Sequence, residues 1–295
     1  MALHRPGSIV LVLLSVGCVA GLSASCGNPV PTPSVAPSPI AVATAVTPSA
    51  VAVAPSAPTP APTPERNPAA FIEGVPYALE IDPAEFTTDV TNPYFPLVPG
   101  TTWTFDGAGE HVVVTVTDRT REIAGVTTVV VHDQALEDGE VVEDTEDYYA
   151  QDAAGNVWYF GEVTGECDGT AITSRAGSWE AGVDGALPGV VMLAEPRVGD
   201  VYRQEYLAGE AEDQATILQL DATMTGPTGA YTAVLVTKDV TPLEPDLVEH
   251  KSYAPGVGVV REETLSGEPG VVELVSVTTG NATPAPSGPF VPCGG

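Results

Sequence analysis

Basic residues are what this chain has least of. Ten lysines and arginines stand against 39 aspartates and glutamates in 295 residues, a formal charge of −29, and only Lys238 and Lys251 are lysines. Such a chain repels phosphate and anionic headgroups, which removes nucleic acid as a partner and leaves cations, basic peptides and neutral ligands. A solvated acidic surface is itself a sufficient use for much of that charge. Catalytic signatures are missing too. There is no Gly-x-Ser-x-Gly elbow, no phosphate loop and no dinucleotide fingerprint, so no catalytic residue is nominated. His111, His132 and His250 are scattered and no Cys-x-x-Cys occurs, so nothing points to zinc.

Long apolar runs are confined to the start. His4-Arg5 followed by Ile9–Ala20 reads as an export signal over residues 1–25, too short to span a bilayer comfortably. It leads into Leu22-Ser-Ala-Ser-Cys26, which resembles a bacterial lipobox and implies a diacylated Cys26. Leu14-Ser-Val-Gly-Cys18 fits about as well, and a plain cleaved signal is the other alternative. Cysteine parity favours Cys26, because Cys167 and Cys293 then remain as an even pair in an oxidising compartment. The expectation is an exported protein held by its lipid on the outer face of the cell membrane, or in the periplasm or outer membrane of a Gram-negative cell.

Residues 26–66 read as a tether. Pro29–Pro64 has eleven prolines in 36 residues and no charge, a composition that stays extended and makes no packed core. Residues 67–282 read as one β-rich domain whose entry, Asn67–Glu80, is expected to be poorly ordered. Asp82-Pro83 starts a short helix that ends before Asn92-Pro93. Tyr94-Phe95-Pro96-Leu97 follows as a rigid apolar plug.

From Pro99-Gly100 onward, strands alternate with Gly-, Pro- and Asp-containing turns. They are expected at Thr101–Phe105, His111–Asp118, Val126–Asp133, Val141–Gln151, Val157–Val163 and Val201–Tyr206. Further strands are expected at Asp213–Thr225, Tyr231–Lys238, Val248–Tyr253, Val257–Thr264 and Val271–Thr278. This spacing predicts an all-β antiparallel meander curled into a half-barrel or barrel. Residues 178–192 interrupt it as a long loop that is either functional or a cover for the open side of the sheet. A tail at 283–295 is expected to be held by a Cys167–Cys293 disulfide.

The central feature is a hairpin, Asp144–Asp152 returning as Asn156–Glu162 around Asp152-Ala-Ala-Gly155. It places Glu146 opposite Glu162, or Asp147 if the loop is one residue longer. Two opposed carboxylates destabilise a ladder unless a positive charge sits nearby. Residues 137–152 hold eight acids and no base. Glu180 with Asp184, and Glu205 with Glu210, Glu212 and Asp213, form further acidic groups. Opposed strand carboxylates suit calcium, although no EF-hand spacing is present; the competing use is internal ion pairing with Arg175, Arg203, Lys251 or Arg261. A concavity lined by Tyr148, Trp158, Phe160 and Tyr206 would suit a small or amphipathic ligand. His250, beside Glu249, completes the candidate set.

Asn92–Leu97, Asp147–Glu162, Ser178–Met192, Val198–Tyr206 and Glu249–Gly258 are similar to stretches of an uncharacterised family of bacterial exported lipoproteins. The resemblance runs from about Ile81 to Thr278. It implies a curved antiparallel sheet and attaches no activity. The function expected is therefore non-enzymatic binding by an anchored monomer, with cation binding or a structural envelope role as the alternative. A carboxylate-dependent hydrolase is the weaker third.

Overall fold

A computed structural model describes residues 66–169, 171–267, 269–280 and 290–293. The export signal, Cys26, the tether to residue 65 and most of the tail lie outside the described residues. In chain order the strands are β1 (Phe86–Thr87), β2 (Thr101–Gly107), β3 (Glu110–Ile123), β4 (Val126–Glu137), β5 (Glu140–Asp152), β6 (Val157–Asp168), β7 (Ala171–Ser174), β8 (Trp179–Glu180) and β9 (Leu187–Met192). They continue as β10 (Val201–Arg203), β11 (Glu205–Tyr206), β12 (Gln214–Gly226), β13 (Gly229–Val240), β14 (Val248–Ala254), β15 (Gly258–Ser266) and β16 (Gly270–Thr279).

Thirteen of them form one path, β10-β12-β13-β14-β15-β16-β2-β3-β4-β5-β6-β9-β11. Most neighbours are hairpin partners, and β16 joins the two halves of the chain by pairing with β2. The two ends of the path meet in sequence. Only Gln204 separates β10, bonded to β12, from β11, bonded to β9, so the sheet is nearly closed into a barrel. Closure disposes of the unpaired edges that an open sheet would expose. The strands expected from the sequence are present, mostly longer than their apolar runs, except that Val201–Tyr206 breaks at Gln204 into β10 and β11 at opposite ends of the path.

One end of the barrel is stoppered. Asn92 donates through Nδ2 to the carbonyls of Gly155 and Leu193, at 3.0 and 3.2 Å, and fixes where the plug begins. Phe95 and Leu97 are buried beneath it, with Phe95 5.3 Å from the ring of Tyr149. Each contributes about 1.5–3 kcal/mol by leaving water. A hollow of about 20 Å³, walled by Phe95, Leu97, Trp103, Phe105 and Val114, remains below the plug and has room for little more than one water.

Three local expectations change. The helix at Asp82-Pro83 is a single 3₁₀ turn, Pro83–Glu85, with the Asp82 carboxylate accepting from Ala84 N at 3.0 Å. Asn67–Phe71 is irregular but packed: Ala70 bridges Tyr202, and Ala69 is fully buried. Residues 178–192 are not one long loop. They contain β8 and β9, laid on β6, with a turn at 181–186 between them.

Glycines conceal those strands from a sequence reading and also make them possible. A Cβ on Gly189 would stand 2.2 Å from the carbonyl carbon of Gln204, where β9 meets the barrel seam. Gly189→Ala should therefore separate β9 from β11 and cost about 2–4 kcal/mol, read as a lowered urea midpoint.

The expected disulfide is present. Cys167, on β6, is bonded to Cys293 with a Cα–Cα distance of 5.7 Å. The last described residues lie on the outer face of β4–β6, where Cys293 N donates to Asp144 Oδ2 at 2.9 Å and Phe290 meets His132 edge-on at 5.7 Å. Closing a loop of this size removes about 4–5 kcal/mol of denatured-chain entropy. The Cys167→Ser/Cys293→Ser protein should lose about that much in equilibrium unfolding, and reduction of the natural protein should match it.

Candidate functional site: an acidic barrel interior

Strand alternation decides which side chains turn inward. Near the plug the inward face is apolar and aromatic, with Trp103, Val114, Tyr149, Tyr159, Leu235 and Tyr253. Midway down it becomes acidic. Asp147 on β5 is level with Val131 and with Glu162 on β6, Asp133 on β4 comes one inward position later opposite Thr145, and Glu262 on β15 faces inward between Val272 and Lys251. Towards the far end the inward positions are Glu110, Glu143, Asp239 and Glu249, with Asp213 beside them.

The central hairpin delivers the opposed pair by an unexpected route. Its loop has the expected length: Gly155 N donates to Asp152 O at 2.9 Å, and Gly155 takes a φ of 97°. Tyr149 is opposite Tyr159, yet Asp147, not Glu146, is opposite Glu162. A bulge at Phe160-Gly161 supplies the extra residue. Gly161 has a φ of 136°, and a Cβ there would stand 2.4 Å from the carbonyl oxygen of Trp179, so the bulge and the docking of β8 both require glycine.

Inside, Tyr159 OH donates to Asp147 Oδ1 at 2.6 Å, and its ring stacks on Tyr149 at 4.8 Å. Lys251 is the basic side chain at this level, its Nζ 3.5 Å from Glu262 Oε2 and 3.8 Å from Asp239 Oδ2. Trp179 closes over the seam and donates through Nε1 to Glu205 Oε2 at 3.0 Å. Asp133 Oδ2, Asp147 Oδ2, Tyr149 OH and both carboxyl oxygens of Glu110 are buried without a hydrogen-bond partner.

Burial at this density favours protonated carboxyls. It pushes Glu110 and Glu143 up to about 8, assisted by Glu137 in the first case and by Asp147 and Glu166 in the second. Asp147 rises to about 7 despite its bond from Tyr159, and Asp213 to about 7 despite Lys251. Asp133, Glu205 and Glu262 are raised further, chiefly by burial. For Lys251, burial pulls downward, but Glu262, Asp239 and Glu249 outweigh it and hold the ammonium above its ordinary value.

No family model matches this chain, and no curated protein matches it. Two similar solved structures are known. One, described as a candidate exported protein with a YmcC-like fold from Bacteroides fragilis, is 17% identical and covers 63% of this chain and 99% of its own, with a TM-score of 0.37. The other, a candidate lipoprotein from Parabacteroides distasonis, is 12% identical and covers 63% of this chain and 98% of its own, with a TM-score of 0.34. Both likenesses are remote.

The structure brings together Asp147, Glu162 and Glu205 on the inner face and separates them from the rest of the candidate set. Glu146, Tyr148 and Glu180 lie outside, where Arg119 pairs with Glu146 and Arg121 with Glu180, and Arg121 also reaches Tyr148 OH at 2.7 Å. The expected aromatic wall does not line the concavity. Trp158 and Phe160 point outward onto Phe86, at 5.9 and 5.4 Å, because period-two alternation from Tyr159 puts them on the opposite face. Tyr206 packs outside with Tyr77 and Phe71 around Arg203, whose guanidinium lies 4.9 Å from the Tyr206 ring. Asp184 is exposed in the 181–186 turn, and His250 faces outward opposite Lys238.

Of the four bases expected to neutralise the interior, Lys251 does so. Arg261 pairs outside with Glu263 and Glu273, and Arg175 is exposed. Asp133, Glu110, Asp239 and Glu262 were not singled out by the sequence. Their signal was an acid at an inward position of an otherwise apolar alternation, as in Val129-x-Val131-x-Asp133-x-Ala135. Among the described residues, no group of three His, Cys, Asp or Glu side chains is placed to hold a metal ion.

Proposed function

We propose that this chain is an exported, non-enzymatic binding domain, held at the membrane through a lipidated Cys26 and the tether, whose acidic barrel interior receives a small cation-bearing ligand. One observation carries the reading. Carboxyl oxygens of Asp133 and Asp147 and the hydroxyl of Tyr149 are buried on the same inner face without hydrogen-bond partners, an arrangement that costs about 1–3 kcal/mol for each group left unmade. Buried polar groups in folded proteins nearly all have partners, and a bound cation would supply the ones these lack. A neutral amphipathic ligand has less support, since the aromatic wall expected for it stands outside the barrel.

The test is a melting series on the purified domain at pH 7.5 in about 150 mM salt, with calcium, magnesium, potassium and alkylamines as probes. At least one should raise the midpoint saturably. If every cation leaves it unmoved, the interior is a sealed acidic core and the binding reading fails. Anchoring is tested separately, by palmitate labelling in a bacterial host that should disappear in Cys26→Ala.

A further inference from the structure

The inner wall differs from a metal cage in how its oxygens are spread. Calcium gathers six to eight oxygens at 2.3–2.6 Å, whereas no three-donor group is placed for a metal among the described residues. The carboxyls come singly from separate strands, Asp133 from β4, Asp147 from β5 and Glu262 from β15. The chain itself shows what such a wall accepts. The Lys251 ammonium lies between Glu262 and Asp239, 3.5 and 3.8 Å away, contributed by β15 and β13. An ammonium carries three N–H donors that reach separate acceptors, which a compact divalent ion does less well.

A second set of acceptors comes from β4 and β5 on the same inner face. Asp147 Oδ2 and Asp133 Oδ2 have no partner, and the fully buried Tyr149 hydroxyl, also unpartnered, is on the same inner face within electrostatic range of Asp147, Glu162 and Asp133. The tyrosine is an independent sign, since a buried phenol beside carboxylates ordinarily donates to one. The part of the acidic lining nearest solvent is at the end away from the plug. There the inward-facing Glu143, Glu249 and Asp213 are half-buried, whereas Asp133 and Asp147 are buried.

We infer that the barrel binds the primary ammonium of a small aliphatic amine, with Asp133 and Asp147 accepting its N–H groups and the Tyr149 oxygen completing the set. This inference rests on the binding function proposed above and narrows it to one class of ligand.

The experiment uses the whole exported domain at pH 7.5 and about 150 mM salt, which screens attraction to the acidic surface. The probes are n-butylamine, spermidine, tetramethylammonium and calcium, and melting and calorimetry are the readouts. Asp133→Asn and Asp147→Asn keep shape and remove a buried acid, so both should fold. The amines should bind saturably to the natural protein and about tenfold or more weakly to either variant, while tetramethylammonium, with no N–H, should not bind.

Calcium binding without amine binding overturns the inference and leaves the wider cation reading intact. No binding by any probe overturns both. Equal amine binding by natural protein and variants identifies surface attraction and overturns the inference.

Discussion

Between pH 5 and pH 8 the domain should lose on the order of 5 kcal/mol of stability, a fall of roughly 10–20 °C in melting midpoint. The sign follows from proton counts. In the unfolded chain aspartate and glutamate release their protons near pH 4. In the barrel Asp147 and Asp213 hold theirs to about 7, and Glu110 and Glu143 to about 8. Across this window the folded state binds more protons than the unfolded one, so stability falls as pH rises and is greatest at the acidic end. Melting curves at several pH values would check this. A flat profile, or one rising towards pH 8, would mean that the interior carboxyls are ionised and compensated. Asp133→Asn should flatten the slope and raise the midpoint at pH 8, because it removes a buried acid without changing the side chain's shape.

Lys251→Met should cost about 3–5 kcal/mol at neutral pH, the scale expected when one partner of a buried ion pair is removed. Asp239, Glu249 and Glu262 would then face one another without the ammonium that now lies among them. The loss should be larger at pH 8 than at pH 5, where more of those carboxyls are neutral. Lys238→Met is the control. Lys238 lies on the same ladder but faces outward opposite His250, and its replacement should change stability by no more than about 0.5 kcal/mol. Urea unfolding of the two variants at both pH values separates a general loss of charge from loss of the interior counterion.

The meander was legible because period-two alternation and turn residues are local signals. Val112-x-Val114-x-Val116 needs no knowledge of its partner to reveal its inner face. The Cys167–Cys293 bond was legible through parity alone. What escaped depended on distant contacts. β9 is hidden by Pro188 and Gly189, whose use appears only when the backbone of Gln204 passes alongside. The bulge at Phe160-Gly161 cannot be counted from the hairpin loop, which has the expected length, so the choice between Glu146 and Asp147 was beyond the sequence. It also decides the site, because one residue of slip exchanges the face that meets Arg119 for the face that meets Tyr159. The aromatic wall was misplaced for the same reason: Trp158 and Phe160 are as apolar as an inner face should be, but Phe86 covers them from outside.

The join between β16 and β2 has a consequence for how this molecule comes into being. Thr101–Gly107 waits for Gly270–Thr279, so a chain emerging amino end first has made most of its hairpins before the ring can shut. Until then the acids on β4, β5 and β6 stand in water and carry full charge. Their last neighbours arrive together with Lys251 and Glu262, and shutting the ring draws hydrogen ions from the medium. The acidity where the chain matures thus acts as a reagent in its assembly.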